Sequence, residues 1–451
     1  MITHIKLLIL CAAALLSTHI AAQTNGSNSS YSRFGIGLLG DQSQSYNRSM
    51  GGVGQGLRAG YRINALNPAS YSAIDSLTFL FDVGMSLQRT RMTLGSAHQS
   101  ANNTAVEFVN AAFRVAPNLG MSLGFMPYTN IGYSFTLENQ GDITDPYTLQ
   151  TITNTYSYEG NGGLHLGYIG AGWKPFKHLS VGANIGLLWG TINNQMTQTF
   201  AENGTANTSN YSSLSTYYKA TIQTWKADVG VQYQWLADAK NRVTLGATVG
   251  IGHKIGSDAT VERTTLNGDT ISASCGSAYQ LPMTYSVGVS WEHREKLTLA
   301  ADFTLEQWSK CTTPQLVSST DGGVDYRPSK GLYKDHYRVN VGMEYVPGRF
   351  DRSYWHRLNY RFGLTYSSSY LKVNGYDGPK EYGVSAGIGL PITNAWTNRS
   401  LLNIYKPSYV NIGVQWTRRD ASASALIDEN IFRINIGLSF NERWFMKWKF
   451  Q

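Results

Sequence analysis

Residue types that can carry out catalysis are present, but their spacing does not predict an active site. Four histidines fall in or at the ends of strand-like segments: His165, His253, His336 and His356. None has a serine and an acidic residue at a spacing that indicates a triad. The run Gly383-Val384-Ser385-Ala386-Gly387 matches the letters of a nucleophile elbow, but no helix follows it, and that motif needs a strand-to-helix turn. We therefore expect no catalytic residue and no enzyme activity.

Metal and cofactor motifs are also missing from the sequence. The glycine-rich run Gly52-Val53-Gly54-Gln55-Gly56 lacks the strand-to-helix context of a phosphate-binding loop. Cys275 and Cys311 do not have metal-ligand spacing. In a secreted protein they either form a disulfide or remain as two free thiols, and the sequence leaves both alternatives open. We expect no metal and no cofactor.

The composition excludes several classes of protein. Only 15% of the 451 residues are charged, against roughly 25% in an ordinary soluble domain. The 46 glycines and 28 tyrosines argue against a helical bundle or a disordered chain. The net charge of +8 includes no basic run, so a nucleic-acid partner is not indicated. Beyond the N-terminus no apolar run reaches 18 residues, which excludes a helical membrane protein.

The first 22 residues have the features of a secretory signal peptide. Lys6 precedes the apolar run 7–16, and Ala21-Ala22 offers small residues for cleavage. Cys11 lies inside the apolar run and follows Leu10, which argues against a lipoprotein anchor. The mature protein is therefore expected to leave the cytoplasm.

After residue 75 the chain alternates apolar and polar residues with a period of two, which is typical of β-strands. Fourteen segments show this alternation, at roughly 76–94, 104–116, 119–137, 157–175, 179–200, 214–236, 242–258, 281–292, 296–308, 335–348, 356–370, 381–391, 408–418 and 431–448.

Three features favour a transmembrane antiparallel barrel over a soluble sandwich. Short connections alternate with long ones, aromatic residues lie near strand ends, and the chain finishes on the aromatic run 444–450. Because lipid cannot form hydrogen bonds, the apolar face must turn outward. A cation on the lipid side would cost about 2–4 kcal/mol near the midplane. The charged side chains predicted to face the lumen are Lys226, Asp228, Asp302, Arg338, Glu344, Arg361 and Arg433.

Residues 23–75 lack this alternation and are rich in glycine. They contain the runs Arg48-Ser49-Met50-Gly51-Gly52 and Asn67-Pro68-Ala69. This segment resembles the N-terminal hatch of the FadL-type long-chain fatty-acid transporters. The resemblance implies a hatch or plug at 23–75 inside an all-β barrel of about 14 strands at 76–451, in the outer membrane of a Gram-negative bacterium. It also implies passive passage of hydrophobic compounds and sideways release through a gap in the third strand.

Pro127 interrupts the third predicted strand. Proline has no N–H group for the strand ladder and belongs at edges, bulges or breaks. We expect a local opening or an inward kink here, with Met126, Pro127 and Tyr128 as ligand or gate residues. The alternative is two short strands joined by a turn.

The resemblance also suggests ligand contacts inside the barrel. Arg338, Arg361 and Arg433 are candidates to orient a carboxylate, with lumenal ion pairing as the alternative. The hatch residues Asn67, Pro68 and Ala69 are candidate gate residues. Met50, Tyr61 and Leu66 are further candidates, and for each of them plug packing is the alternative.

A second function remains open on the sequence. The shuttle barrel of the type IX secretion apparatus is similar in fold to the FadL-type transporters and docks protein partners. The long loops here, rich in Ser, Thr, Asn and Tyr, would suit protein contacts. The expected partners are therefore outer-membrane lipid, a hydrophobic small molecule and, in the alternative, a secretion or periplasmic protein.

Overall fold

The structure, a computed structural model, describes residues 28–76, 78–137, 143–144, 151–202, 213–236, 238, 240–264, 269–318, 324–349, 351–373, 375–392, 407–421 and 426–443. The predicted signal peptide at 1–22 and the aromatic run 444–450 lie outside these residues. Within the described ranges, no helix is both long enough and apolar enough to cross a membrane.

Fourteen antiparallel strands close into a barrel, because the last strand pairs with the first. They are β1 (Thr78–Leu94), β2 (Ala97–Ala116), β3 (Leu119–Leu137), β4 (Thr151–Trp173), β5 (Leu179–Glu202), β6 (Leu214–Leu236), β7 (Asn241–Gly250), β8 (Thr284–His293), β9 (Leu297–Glu306), β10 (His336–Tyr345), β11 (Asn359–Ser367), β12 (Lys380–Pro391), β13 (Tyr409–Asp420) and β14 (Asp428–Arg443). The predicted fold class and strand number are confirmed.

The remaining elements are short. The one α-helix in the described ranges, α1, spans Ser45–Arg48, and 3-10 turns lie at Ser30–Arg33, Pro68–Ala73, Trp308–Lys310 and Trp355–Arg357. Two hairpins lie in the long connections: Ala259–Thr264 pairs with Thr270–Cys275 and extends the sheet of the wall, and Thr313–Ser318 pairs with Val324–Ser329 as a separate two-stranded sheet. Two-residue strands lie at Leu38–Leu39, Ile143–Thr144, Lys372–Val373 and Tyr376–Asp377.

Predicted strand boundaries differ from the structure by up to several residues, and the largest difference is at the end of the seventh strand. Residues 242–258 were expected to form one strand, but β7 ends at Gly250, and Ala259–Thr264 is a separate strand that pairs with β6. Between them the chain leaves the wall and bonds to the returning segment, with Ile255 N donating to Tyr279 O. A side chain at Gly252 would overlap the backbone of that segment, so the close approach of the two segments requires glycine there.

The two faces of the wall have opposite polarity. On β10 and β11 the outward side chains Val341 and Leu364 are 48% and 45% exposed, while Glu344 and Arg361, which point inward, are buried. All seven charged side chains predicted to face the lumen do so: Asp302, Glu344 and Arg361 are buried there, and Lys226, Asp228, Arg338 and Arg433 line a lumenal cavity. The predicted orientation is therefore confirmed.

The wall is much taller on one side. The strands β4, β5 and β6 have 23, 24 and 23 residues, whereas β7 to β10 have 10 each. A tilted strand needs about 9–11 residues to cross a bilayer. The tall side therefore continues well beyond a membrane at the end that carries the long loops, which we call the long-loop end.

Candidate functional site

A belt of glycines runs around the inner wall of the barrel. Several of them are direct cross-strand partners, as in Gly120–Gly172–Gly182–Gly230. The belt consists of Gly120, Gly172, Gly182, Gly230, Gly246, Gly288, Gly342, Gly363, Gly387, Gly413 and Gly437. A Cβ atom at any of these positions would crowd atoms between residues 45 and 71. Residues 41–75, which we call the plug, are thus held against a wall that lacks side chains where the two meet.

Buried charges also fix the plug to the wall. Arg62 Nη2 pairs with Glu344 of β10 at 2.8 Å, and Arg361 of β11 pairs with the same carboxylate at 2.7 Å. Arg48 Nη1 lies 2.9 Å from a Glu107 oxygen on β2. Asp302 of β9 accepts hydrogen bonds from the backbone nitrogens of Gly54 and Gln55, at 2.5 and 2.9 Å. Removing one member would leave a buried charge without its partner.

Asp41 ties the start of the plug to Arg48. The Arg48 side chain also donates to Asp41 O at 2.7 Å. Burial by itself would raise the pKa of Asp41, but the Arg48 guanidinium and the hydrogen bonds from Ser43 hold this pKa below its ordinary value. The carboxylate is therefore ionised when the plug is in place.

The motif Asn67-Pro68-Ala69 begins a 3-10 turn and bonds it to the wall. Asn67 Oδ1 accepts from Ala69 N at 3.1 Å, and Pro68 occupies the first turn, where no N–H is needed. Asn67 Nδ2 donates to Gln55 O and to Val231 O of β6, at 2.9 and 3.2 Å. These contacts give the motif a role in fixing the plug, and a role in gating stays a prediction.

The run Arg48-Ser49-Met50-Gly51-Gly52 turns the chain after α1. Gly51 and Gly52 both have positive φ, at 69° and 78°, which glycine adopts without strain. Gly51 N donates to Ser385 Oγ at 3.0 Å, and Thr365 Oγ1 donates to Gly51 O at 2.9 Å. Ser385, from the elbow-like run, therefore lies within β12 and bonds to the plug backbone.

The wall has a gap between β2 and β3. Their pairing stops at Val109 and Phe125, so residues 97–108 pair with β1 alone, and residues 126–137 pair with β4. The register of β3 against β4 shifts between Pro127 and Thr129, which leaves Tyr128 in a bulge. The strand continues through the bulge, so the alternative of two short strands joined by a turn is wrong. The irregularity expected at Pro127 takes the form of this bulge, beside the missing pairing between β2 and β3, and release through the gap stays a prediction.

Residues 28–40, which we call the bridge, lie across this gap. Leu38–Leu39 pairs antiparallel with Thr129 and Asn130 of β3, and Gly40 N donates to Tyr128 O at 2.8 Å. At the other end, the Asn28 and Asn103 amides meet at 2.7 Å, which links the bridge to β2. The sequence analysis did not predict the bridge. The pair Leu38-Leu39, which lies between two glycines, was the signal that could have indicated it.

Behind the bridge the lumen contains an apolar zone. Its wall residues are buried and come from β3 to β6: Met126, Tyr128, Ile131, Leu164, Leu188, Ile192 and Ile222. The bridge contributes Ile36, and Trp308 and Tyr370 cover the zone from the long-loop end, with their rings 4.6 Å apart. The predicted ligand residues Met126 and Tyr128 thus lie in an apolar environment beside the gap.

Cys275 and Cys311 belong to the same buried cluster, and both are free thiols. The disulfide that the sequence left open is not formed. Burial raises the pKa of Cys311 to about 12, so its thiol stays protonated at neutral pH. Within the described ranges, no group of three or more His, Cys, Asp or Glu side chains could hold a metal ion.

A polar cavity of about 220 Å³ adjoins the bridge and the plug. Leu38, Leu39 and Tyr128 form its apolar edge. The charged residues that line it are Asp41, Glu107, Lys226, Asp228, Asp302, Glu306, Arg338, Glu381, Arg419 and Arg433. The structure thus places charged groups within reach of one end of the apolar zone.

The three predicted head-group arginines have different surroundings. Arg338 lines the polar cavity, and so does Arg433, which donates to Gln88 Oε1 at 2.6 Å. Arg361 is buried against Glu344 and Asn411, as the ion-pair alternative proposed. Of the other candidates, Met50 and Tyr61 are buried in the plug, and Leu66 lines the polar cavity.

Comparison with known proteins gives similar barrels. The Ralstonia pickettii toluene transporter TbuX is 14% identical with a TM-score of 0.56, covering 90% of this chain and 99% of its own. The P. putida toluene transporter TodX is 14% identical with a TM-score of 0.57, covering 91% and 100%. A Pseudomonas aeruginosa FadL homologue is 12% identical with a TM-score of 0.57, covering 90% and 99%. At these identities the likeness establishes the fold.

The family is identified by comparing the sequence with models of protein families. No curated protein matches the chain. One family model, described as BamG, matches residues 1–451. The resemblance to FadL-type transporters therefore holds for the fold, and the family is given by this model. Since the match spans the whole chain, the protein belongs to the BamG family.

Proposed function

We propose that this barrel passes hydrophobic compounds, such as long-chain fatty acids, across the outer membrane of a Gram-negative bacterium by passive diffusion. The compound would enter the apolar zone from the long-loop end and leave sideways between β2 and β3. The observation that carries the proposal is the missing pairing between residues 97–108 and 126–137, closed by the bridge instead of by a neighbouring strand.

The bilayer imposes a physical requirement on this gap. Unpaired backbone groups cannot face hydrocarbon, so an open pair of strand edges must be covered by protein or by a water-filled space. Here the cover is a short segment that forms no ion pair with any residue that the structure describes and pairs with β3 through backbone hydrogen bonds. If the bridge moves, it exposes the buried apolar surface behind it. Burying a hydrophobic ligand on such a surface is favourable by roughly 25 cal/mol per Å².

Two similar structures are described as toluene transporters, which supports a hydrophobic ligand class. Arg338 and Arg433 are the residues that we propose to orient an acidic head group, because they line the cavity beside the bridge. Arg361 is less suited to this role, since its guanidinium is already bonded to Glu344 and Asn411.

Deletion of the bridge tests this function. In proteoliposomes, the chain that lacks residues 28–40 should take up toluene and oleate faster than the wild type. A polar solute such as a disaccharide should be unaffected, because the plug stays in place. Heat-dependent electrophoretic mobility would verify that both forms are folded. Uptake equal to that of empty liposomes for every hydrophobic probe, in both forms, would rule the proposal out.

A docking function is the second candidate, and the tall side of the wall favours it. Above the level of a membrane, β4 to β6 present outward polar side chains from neighbouring strands. Asn193 of β5 donates to Asn161 of β4 at 3.1 Å, and Gln195 donates to Tyr217 of β6 at 3.0 Å. Glu159 and Lys219 are exposed on the same face. Such a surface would suit a protein partner of a secretion apparatus at the barrel's long-loop end.

The two proposed functions predict different effects when residues on this outward face are substituted. Exchanging Glu159→Lys and Lys219→Glu should abolish a stoichiometric protein complex extracted in mild detergent if docking is the function, and should leave uptake of hydrophobic probes unchanged. The opposite pattern, with an intact complex and altered uptake, would exclude docking through this face.

A further inference from the structure

Two arginines lie on the outer surface of the barrel near the long-loop end. Arg89 and Arg91 point outward from β1 and are exposed. Their cross-strand neighbours on β14 are Phe432 and Asn430, respectively. Neither arginine forms an ion pair within the described part of the chain. Two cations so close together repel each other, and an anionic partner would relieve this repulsion.

Their height on the barrel indicates what that partner is. Below them on the same face of β1, Met85 and Leu87 are 42% and 46% exposed, as expected for the lipid-facing band. Trp416 and Phe432 are exposed on the adjoining strands β13 and β14, where an interfacial aromatic girdle is expected. Arg89 lies opposite Phe432, and Arg91 lies one row farther out. The arginines therefore lie at the level of lipid head groups.

A surface groove connects these side chains. Its volume is about 470 Å³, and its lining includes Arg89, Arg91, His98, Ser100, Trp416 and Phe432. The nearby cation Arg418 is already compensated, because its Nη2 atom lies 2.7 Å from an Asp420 oxygen. The groove thus combines two free guanidinium groups and a hydroxyl at its polar end with two aromatic rings at its apolar end.

We propose that this groove binds a phosphate group of a lipid head group in the outer leaflet, with the acyl chains against Trp416 and Phe432. A planar guanidinium donates two parallel hydrogen bonds to a phosphate, which makes arginine suited to this contact. The aromatic rings select a lipid over a free anion, since a free anion gains nothing from them. This inference needs the barrel to span a membrane and is independent of the proposed transport.

The test uses the full chain in a neutral detergent, with native mass spectrometry to count bound lipid. The probes are diphosphoryl lipid A, its dephosphorylated form and inorganic phosphate. The wild type should bind diphosphoryl lipid A preferentially. The double variant Arg89→Gln/Arg91→Gln should bind it about 30-fold more weakly, since each cation near a charged membrane surface contributes about fivefold. The variant Arg89→Lys/Arg91→Lys should retain part of the affinity.

The matched control changes the same charge at the opposite end of the barrel. Lys296→Gln/Arg352→Gln removes two exposed cations there and should bind diphosphoryl lipid A like the wild type. Equal binding by wild type and Arg89→Gln/Arg91→Gln would overturn the proposal. Equal binding of the dephosphorylated lipid, or displacement of lipid A by inorganic phosphate at the same concentration, would also overturn it. If the double variant does not fold, Arg91→Gln alone and the lysine variant provide the comparison.

Discussion

The plug and the bridge are neighbours in sequence and differ in how they are held. The plug contacts the glycine belt around most of the barrel and forms ion pairs with β2 and β10. The bridge forms no ion pair within the described ranges. It bonds to β3 through backbone groups, such as Ser29 N, which donates to Gly132 O, and to β14 through Ser29 Oγ, which donates to a Glu429 oxygen at 2.6 Å. The difference shows that one continuous segment contains a part held by buried ion pairs and a part held without them, and we expect the second part to be the one that can be displaced.

Typical energies support this difference. A neutral hydrogen bond contributes about 0.5–1.5 kcal/mol net, and a bond to a charged group contributes about 1.5–3 kcal/mol. Because the ion pairs belong to the plug, we expect the bridge to open at a lower free energy than the plug, as a gate does relative to its frame. The following predictions test each side of the comparison.

The largest effect is expected at the buried ion pair between plug and wall. Glu344→Gln leaves Arg62 and Arg361 without a buried counter-charge and should lower the free energy of unfolding by about 3–5 kcal/mol. Denaturant titration in detergent measures this change. The control Glu292→Gln breaks the pair with Arg242, which is more exposed, and should cost at most about 1 kcal/mol. Equal losses would contradict the account of the plug.

A smaller effect is expected at the glycine belt. A methyl group in Gly363→Ala would overlap the backbone of Gly51, so the plug must shift, at a cost of about 1–3 kcal/mol. The control is Gly383→Ala on the neighbouring strand, which also faces inward but has its nearest neighbour at 3.4 Å. It should change stability by less than about 1 kcal/mol. The same denaturant titration compares the two, and a neutral Gly363→Ala would show that the plug does not need this close contact.

Asn67→Ala should have a still smaller effect, because it removes a cap and two hydrogen bonds to backbone oxygens. We expect a loss of about 1–2 kcal/mol and faster hydrogen exchange across Pro68–Ala73. Pro68→Ala is the matched variant, and it should change exchange less since no bond to the wall is lost. Identical hydrogen exchange in both variants would show that the bonds of Asn67 do not fix the plug to the wall.

The smallest effect on overall stability is expected in the bridge. Replacing Leu38 and Leu39 with alanine removes half-buried side chains beside the gap and should speed hydrogen exchange in residues 28–40. Exchange in α1 and in the turn at Pro68–Ala73 should stay slow. Exchange that rises equally in bridge and plug would mean that the two open together, and the distinction between them would be lost.

The sequence predicts the wall well because alternation reports directly which face is apolar. The inward positions of Asp302, Glu344 and Arg361 follow from that alternation alone. The partner of each charge does not follow, since Arg62 lies far from Glu344 in the chain and meets it only when the plug folds into the barrel. The glycine belt was likewise invisible, because its members are spread over many strands and become a belt only in the closed register.

The end of β7 and the bridge were missed for a related reason. Residues 251–258 continue a strand-like pattern, and the competing bonds to residues 279–281 are formed by a distant segment. In the bridge, two leucines are too short a run to predict a strand, and their pairing with Thr129 and Asn130 depends on the space left by β2. Pro127 was the local signal for the gap, and it correctly indicated the strand concerned.

The most direct test locks the bridge to β3. Leu39 and Thr129 are cross-strand partners, at a separation that suits a disulfide. In a Cys275→Ser/Cys311→Ser background, Leu39→Cys/Thr129→Cys would form the lock, and Thr93→Cys/His98→Cys would form a control disulfide between β1 and β2. The account predicts that oxidation stops uptake of hydrophobic probes only in the locked variant, and that a reductant restores it. Unchanged uptake with the bridge demonstrably cross-linked would contradict the claim that the bridge is the gate.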